Sequence, residues 1–335
     1  MIRYLLKRLL VAVPTLFGVT LIAFILAKSI PGDPTHALVG ERTSAEVIER
    51  HRARLGLDRP FLFQYGKFLS NLSPFRLPPV AAEEVAGRTV RKFSLFKNPY
   101  LGRSYFTGSP VSLMILEKLP ATARLALGAM AVATVFGLAL GIVSALRPGS
   151  FWDRLCSLLA IGGISIPVFW AGLILIIVFS YHLGWFPPSG MGSGALIFLV
   201  LPAVTLGSRS AAYLARVTRA SMLETAGADH VTAARAKGLS RFRVVRRHIF
   251  RNSLIPIVTL AGLDFGSYLN GAVLTETIFS WDGVGRLAMN AILQRDYPVI
   301  IGCVLFGAVI FVAANILVDL SYALIDPRIR LGNGE

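Results

Sequence analysis

The chain has 335 residues, 54% of them hydrophobic and 16% charged, with a mean hydropathy of +0.64. That balance is too apolar and too poor in charge for a soluble protein of this size. The formal net charge of +16 would suit nucleic acid, but the basic residues gather at the ends of apolar segments rather than on one solvated face, which excludes that reading.

Arg3, Lys7 and Arg8 precede nineteen uncharged residues, 9–27. At 1.5 Å per residue this run spans roughly 30 Å, the thickness of the hydrocarbon core of a bilayer. A secretory signal has an apolar core of ~7–15 residues and then a small-residue cleavage site. The run here is longer and leads into Lys28-Ser29-Ile30-Pro31, so it reads as an uncleaved first crossing with the N-terminus inside (residues 1–30). Residues 31–118 carry charges of both signs, Pro and Gly clusters and no spanning segment, and form an extracytoplasmic segment. Within it, 44–55 reads as a helix capped by Ser44 and stopped by Gly56. Residues 71–99 read as either a small outer elaboration or a grip for a partner. Further crossings are expected at 125–146, 155–181 with a kink at Pro167, 194–215 broken by Pro202, 254–273 and 298–320. Arg124 marks an outer edge, while Arg147 and Arg154 flank a short inner turn, as the positive-inside rule requires. Cys156 and Cys303 lie in separate apolar segments and read as packing residues, with no disulfide between them and no metal-ligand spacing. The predicted fold class is thus an all-α polytopic membrane protein with six crossings. Residues 119–325 hold five of them, and 326–335 form a cytoplasmic tail.

The loop between the fourth and fifth crossings, 216–253, is the most basic stretch. From Arg209 to Arg251 there are ten Lys/Arg against two acids, Glu224 and Asp229, which holds it in the cytoplasm. A short helix within it ends at Gly238, since glycine commonly follows a helix C-terminus. Taken alone, such a loop could lie on anionic lipid, each Lys or Arg near the surface contributing about 1 kcal/mol. The alternative is a helix presented to the groove of another protein. Catalytic chemistry has little support. There is no G-x-x-x-x-G-K-[ST], no G-x-S-x-G and no H-E-x-x-H, and the five histidines are scattered.

Thr232-Ala233-Ala234-x-x-x-Gly238 resembles the EAA loop of ABC-importer permeases, with Thr in place of Glu. The longer run, with Ala234 to Gly238, Arg243-Val244, His248 to Asn252 and Leu254-Ile255-Pro256, is similar to the dipeptide/oligopeptide/nickel branch. His230 stands where that branch usually has Tyr and Thr232 where it has Arg. The opening YLLKRLL with IPGDP, then RLGLDRP, LGRSYFTGSPV, LPATARLALG, SIPVFWAGL, ETIFSWDGVGRLAMNAILQRDYPV and the closing Asp326-Pro327-Arg328 also look like the family, in order along the chain, and the resemblance implies that 71–99 is an insert.

The resemblance implies a type I importer permease that pairs with a second permease, two ATP-binding subunits and an extracytoplasmic substrate-binding protein. ATP and Mg would sit on the ATPase subunits, with no cofactor on this chain. It implies a docking surface at Asp229, Thr232, Ala233, Ala234, Arg235, Lys237 and Gly238, with the alanines giving close backbone approach and Arg235 and Lys237 making polar contacts. The implied cargo is a di- or oligopeptide; nickel or another peptide-like molecule is the alternative, and a membrane enzyme or receptor would need a site the sequence lacks. Asp264, with Asn270 beyond it, falls within the fifth crossing where the family more often carries an uncharged residue. A carboxylate at that depth should face a cavity or a partner. Either it lines the path and favours cationic or amino-terminal groups, or it is paired at the interface with the second permease. Trp281, Asp282 and Arg286 in the last outer loop are candidates for contact with the binding protein or the translocation mouth, with plain packing the role of most of the loop; Asp282 stands where the family usually has Pro.

Overall fold

A computed structural model describes residues 2–29, 58–73, 80–85, 88–93, 99–269 and 272–325, with isolated positions at 46–47, 49–50, 53 and 75. Asn270, the 326–328 ending and most of the helix expected over 44–55 lie outside the described residues. The elements are α1 (Ile2–Ser29), α2 (Phe61–Leu72), the hairpin β1 (Val80–Val85) and β2 (Arg88–Phe93), α3 (Val111–Leu146), α4 (Phe151–Ser165), α5 (Val168–Leu175) with a π-helical continuation Ile176–His182, and α6 (Ile197–Ala226). Then follow α7 (Asp229–Ala236), α8 (Arg241–Arg243), a π-helical turn Val244–Phe250, α9 (Leu254–Leu269), α10 (Val273–Ile278), α11 (Val284–Gln294) and α12 (Tyr297–Ile325). The hairpin is antiparallel, Val80 facing Phe93, and falls within the predicted insert.

Among the described residues, three helices are long and apolar enough to cross a membrane: Val111–Leu146, Ile197–Ala226 and Tyr297–Leu317. A fourth crossing arises if Phe151–Ser165 and Val168–His182 are taken together; Val13–Leu26 and Leu254–Leu269 are shorter apolar helices. The kink expected at Pro167 in the 155–181 crossing is present, as a bend of 106° between two separate helices. Pro167 is the cause, since it lacks an N–H and forces Ile166 out of helical geometry, to φ −79° and ψ 125°. Pro202, by contrast, does not break α6. It costs α6 the one bond that its N–H would have made to the Phe198 carbonyl, and the helix continues to Ala226. The second apolar run begins earlier than expected, because α3 starts at Val111.

The chain forms two compact units, one from residues 1–14, 118–286 and 307–335, the other from 15–117 and 287–306. In the first, α3 and α6 approach through glycines. A side chain at Gly137 would meet Leu214 Cβ at 2.8 Å, and one at Gly141 would meet Thr218 Cβ at 2.6 Å. Without a hydrophobic drive between helices in lipid, such small-residue spacing permits close van der Waals packing. In the second unit, Phe17 and Phe24 of α1 pack against Phe61, Tyr65 and Phe68 of α2. Tyr65 Oη lies 2.9 Å from the buried Thr20 hydroxyl. The LGRSYFTGSPV segment is tied by buried Asp296, which accepts from Ser104 Oγ at 2.5 Å and from the Tyr105 N–H at 3.1 Å. Burial pushes the Tyr105 phenol up to about 12, with Asp296 and Tyr297 adding to the shift.

Candidate functional site

The basic loop is a folded cap, not a flexible connection. Met222, Val231, Ala234, Val244 and Ile249 form a buried cluster, with Ile142, Ala145, Leu239 and Phe250 packed around it. The cap's base is latched to α6 by Ser253, whose hydroxyl donates to the Ile249 carbonyl at 2.9 Å and to the Ser221 carbonyl at 3.2 Å. Asn252 donates to the His248 carbonyl at 2.8 Å, and its Nδ2 lies 3.0 Å from His230 Nε2. The His230 ring and the His248 main-chain carbonyl therefore brace the cap. Gly238, at φ +74°, makes the turn after α7 in a conformation that L side chains rarely adopt.

This core divides the two alanines of the motif. Ala234 is 5% exposed and points into the cap's own interior, next to Val231. Ala233, Thr232, Arg235, Lys237, Gly238 and Asp229 are exposed. The expectation that both alanines give a partner close approach is corrected: Ala234 holds the helix down, and Ala233 is the alanine available from outside.

A second constellation centres on Glu276, fully buried at 0% exposure. It accepts from Thr122 Oγ1 at 2.8 Å and from the Arg286 N–H at 2.9 Å, while Thr122 Oγ1 itself accepts from the Val284 N–H at 2.8 Å. A side chain at Gly283 would meet the Glu276 carboxylate at 2.4 Å, so that glycine is required by contact rather than by backbone angle. The predicted outer-loop residues surround this carboxylate. Trp281 is 3% exposed and donates from Nε1 to the Ala121 carbonyl at 2.8 Å. Arg286 donates to the Ser280 carbonyl at 2.8 Å, holding Ser280 at φ +50°. Asp282 pairs with Lys118 at 2.6 Å and is the most open of the three. Trp281 and Arg286 thus build the loop, and Asp282 is the one left facing outward.

Burial pushes the Glu276 carboxyl upward, partly offset by the donors from Arg286 and Thr122. Between the ordinary carboxylate range and this raised value, the folded protein keeps a proton that the unfolded chain has lost. Stability therefore falls as pH rises through that window. Glu276→Gln should flatten this part of a thermal-stability profile measured against pH. Glu276→Ala, which strands its donors, should cost on the order of 3 kcal/mol below that window and less above it.

Sequence reasoning missed a third constellation. Asp153, at the start of α4, takes a bidentate ion pair from Arg219 of α6, with Nε and Nη2 at 2.8 and 2.9 Å. It also accepts from Ser144 Oγ and from the Gly149 N–H. Ser150-x-x-Asp153 was a legible helix-start signal, and Ser150 does cap α4 by accepting the Asp153 N–H. Asp264 lies on α9, half-buried, facing the Ser210 hydroxyl of α6. Among the described residues no group of three or more His, Cys, Asp or Glu could hold a metal.

Residues 137–331 match the model of the binding-protein-dependent transport system inner membrane component, and residues 1–126 match the N-terminal model of such membrane components. The chain belongs to this family of ABC-importer permeases. The permease is 40% identical to the Di/tripeptide transport system permease protein DppB of Pseudomonas aeruginosa, covering 98% of this chain and 99% of that one. It is 39% identical, at the same coverage, to the Glutathione transport system permease protein GsiC of Escherichia coli. Among solved structures it is similar to an inward-facing MetNI methionine ABC transporter. The TM-score is 0.52 at 16% identity, over 64% of this chain and 97% of that one, a likeness of fold. The permease is a membrane transport subunit, not an enzyme. It works with a substrate-binding protein, and ATP hydrolysis belongs to separate subunits.

Proposed function

We propose that this permease imports di- or oligopeptides, forming the translocation path with a second, homologous permease above two ATPase subunits. The observation that carries the cargo reading is the 40% identity, end to end, to a di/tripeptide permease. Glutathione, named for another relative, is itself a short peptide. Six crossings with both termini in the cytoplasm put the Asp229–Gly238 cap on the ATPase side and the Glu276 loop on the binding-protein side. The cap's own core holds α7 rigid, so displacement of an ATPase surface against Thr232, Ala233, Arg235 and Lys237 moves the attached α6 and α9 as one piece. ATP and Mg stay on the ATPase subunits. Asp264 and Asn270 belong to the path, and Asp282 to the outer contact.

Tagging the chain in its host and extracting it in mild detergent tests the assembly. A second permease and P-loop ATPases should co-purify, and the reconstituted complex should take up tripeptides in the presence of ATP and the binding protein. A folded chain recovered alone from intact membranes would return the basic loop to the role of a lipid-surface segment.

A further inference from the structure

Asp264 is not the only charge at its depth. Ser253, next to the first residue of α9, hydrogen-bonds the Ser221 carbonyl of α6, which fixes the two helices at a common level. From there α6 and α9 run in opposite chain directions. Arg209 stands twelve residues from Ser221, and Asp264 eleven from Ser253. At 1.5 Å per residue these are roughly 18 and 16 Å, nearly the same height and well inside a 30 Å hydrocarbon core. Arg209 is exposed, and so are Tyr213 and Arg216, at the spacing of one helix face. The opposite face of α6 is buried by Ser210, Ala211, Leu214, Thr218 and Met222.

The Arg209 guanidinium lies 5.9 Å from the Tyr213 ring centroid, and among the described residues no ion pair joins it to Asp264 at the same level of the neighbouring helix. A guanidinium exposed to lipid at this depth would cost about 2.5–3.5 kcal/mol, so this face must meet water, cargo or protein. Hydrophobic cargo would gain nothing from it, and a cargo of one charge would be repelled by one of the two groups.

Building on the peptide-import reading, we propose that Arg209 and Asp264 form a two-charge station in the translocation path. Arg209 receives the C-terminal carboxylate of the cargo and Asp264 its ammonium. An unblocked peptide carries both charges whatever its side chains, so such a station passes many sequences and discriminates against blocked termini. Charge, rather than the fork geometry of arginine, is what it uses.

The test is a double-mutant cycle on the full complex in proteoliposomes, with trialanine as cargo and its binding protein supplied. Arg209→Gln and Asp264→Asn should each lower uptake at least tenfold, the scale of about 1.4 kcal/mol for one lost charge-assisted contact. Co-purification of the second permease and the ATPase subunits, read beside uptake, shows that each variant has assembled. The double variant should be no better than the worse single one. Recovery of uptake in the double variant would mean that the charges only neutralise each other or a partner, and would overturn the station, as would unchanged uptake in the singles. If the neutral variants fail to assemble, Arg209→Lys and Asp264→Glu, which keep the charges, should hold uptake within threefold; a tenfold loss there would also overturn it. A wild-type complex that hydrolyses ATP but imports no trialanine would instead defeat the peptide reading itself, and the station with it.

Discussion

Asp153→Ala should destabilise the first unit by about 3 kcal/mol, the low end for removing one partner of a buried ion pair, because the Arg219 side chain is 36% exposed and keeps some water. Asp153 is 5% exposed and gathers three segments at one carboxylate: Ser144 at the end of α3, Gly149 in the turn, and Arg219 on α6. Removing it frees all three. Arg219→Met should be the worse variant, since it leaves the better-buried charge without its partner. Replacing both, as Asp153→Leu with Arg219→Met, should recover part of the loss, because two apolar groups leave no charge stranded. Thermal unfolding of the detergent-solubilised complex across the four proteins gives the coupling directly. Additive losses, with no recovery in the double variant, would show that the pair is not the joint that ties α3, α4 and α6.

The same joint explains what was legible in the sequence and what was not. Ser150-x-x-Asp153 announces a helix start from local chemistry alone, but Arg219 lies 66 positions away and nothing local links them. Glu276 falls inside a stretch that resembles the family. Yet its burial depends on Thr122, 154 positions earlier, and on a glycine at 283 that reads as a turn until its contact with the carboxylate is seen. Pro167 marks a break in its apolar run because the backbone chemistry of proline is local. The 106° size of the bend is not local. Gly163 beneath Ala212 and Gly172 beneath Thr205 let the two halves lie against different parts of α6. The start of α3 at Val111 was hidden by Glu117 and Lys118, charges that lower hydropathy without opposing helix formation. Apolar length and motif thus read through to the family, whereas every site closed by distant partners needed the fold.

The loop cap gives the second large effect, and adjacent alanines separate its two faces. Ala233→Trp adds bulk to an exposed position of α7, so the permease should fold, assemble in the membrane and keep its thermal stability within about 0.5 kcal/mol, as surface substitutions usually do. Its uptake should nevertheless fall by two orders of magnitude or more, about 2.7 kcal/mol, if a large ring on the proposed docking face holds an ATPase surface away from the helix backbone. Ala234→Trp should behave in the opposite order. Ala234 packs with Val231, Val244, Ile249 and Met222, and overfilling that cluster costs typically 1–3 kcal/mol, with loss of stability preceding any question of docking. ATPase co-purification and uptake, measured beside thermal stability for both variants, tell the faces apart. Docking lost at Ala233 with stability intact, and stability lost at Ala234, is the expected pattern. If Ala233→Trp instead assembles and transports normally, the outward face of α7 does not meet the ATPase. The same core would then serve to hold the basic residues of the loop against the anionic membrane surface.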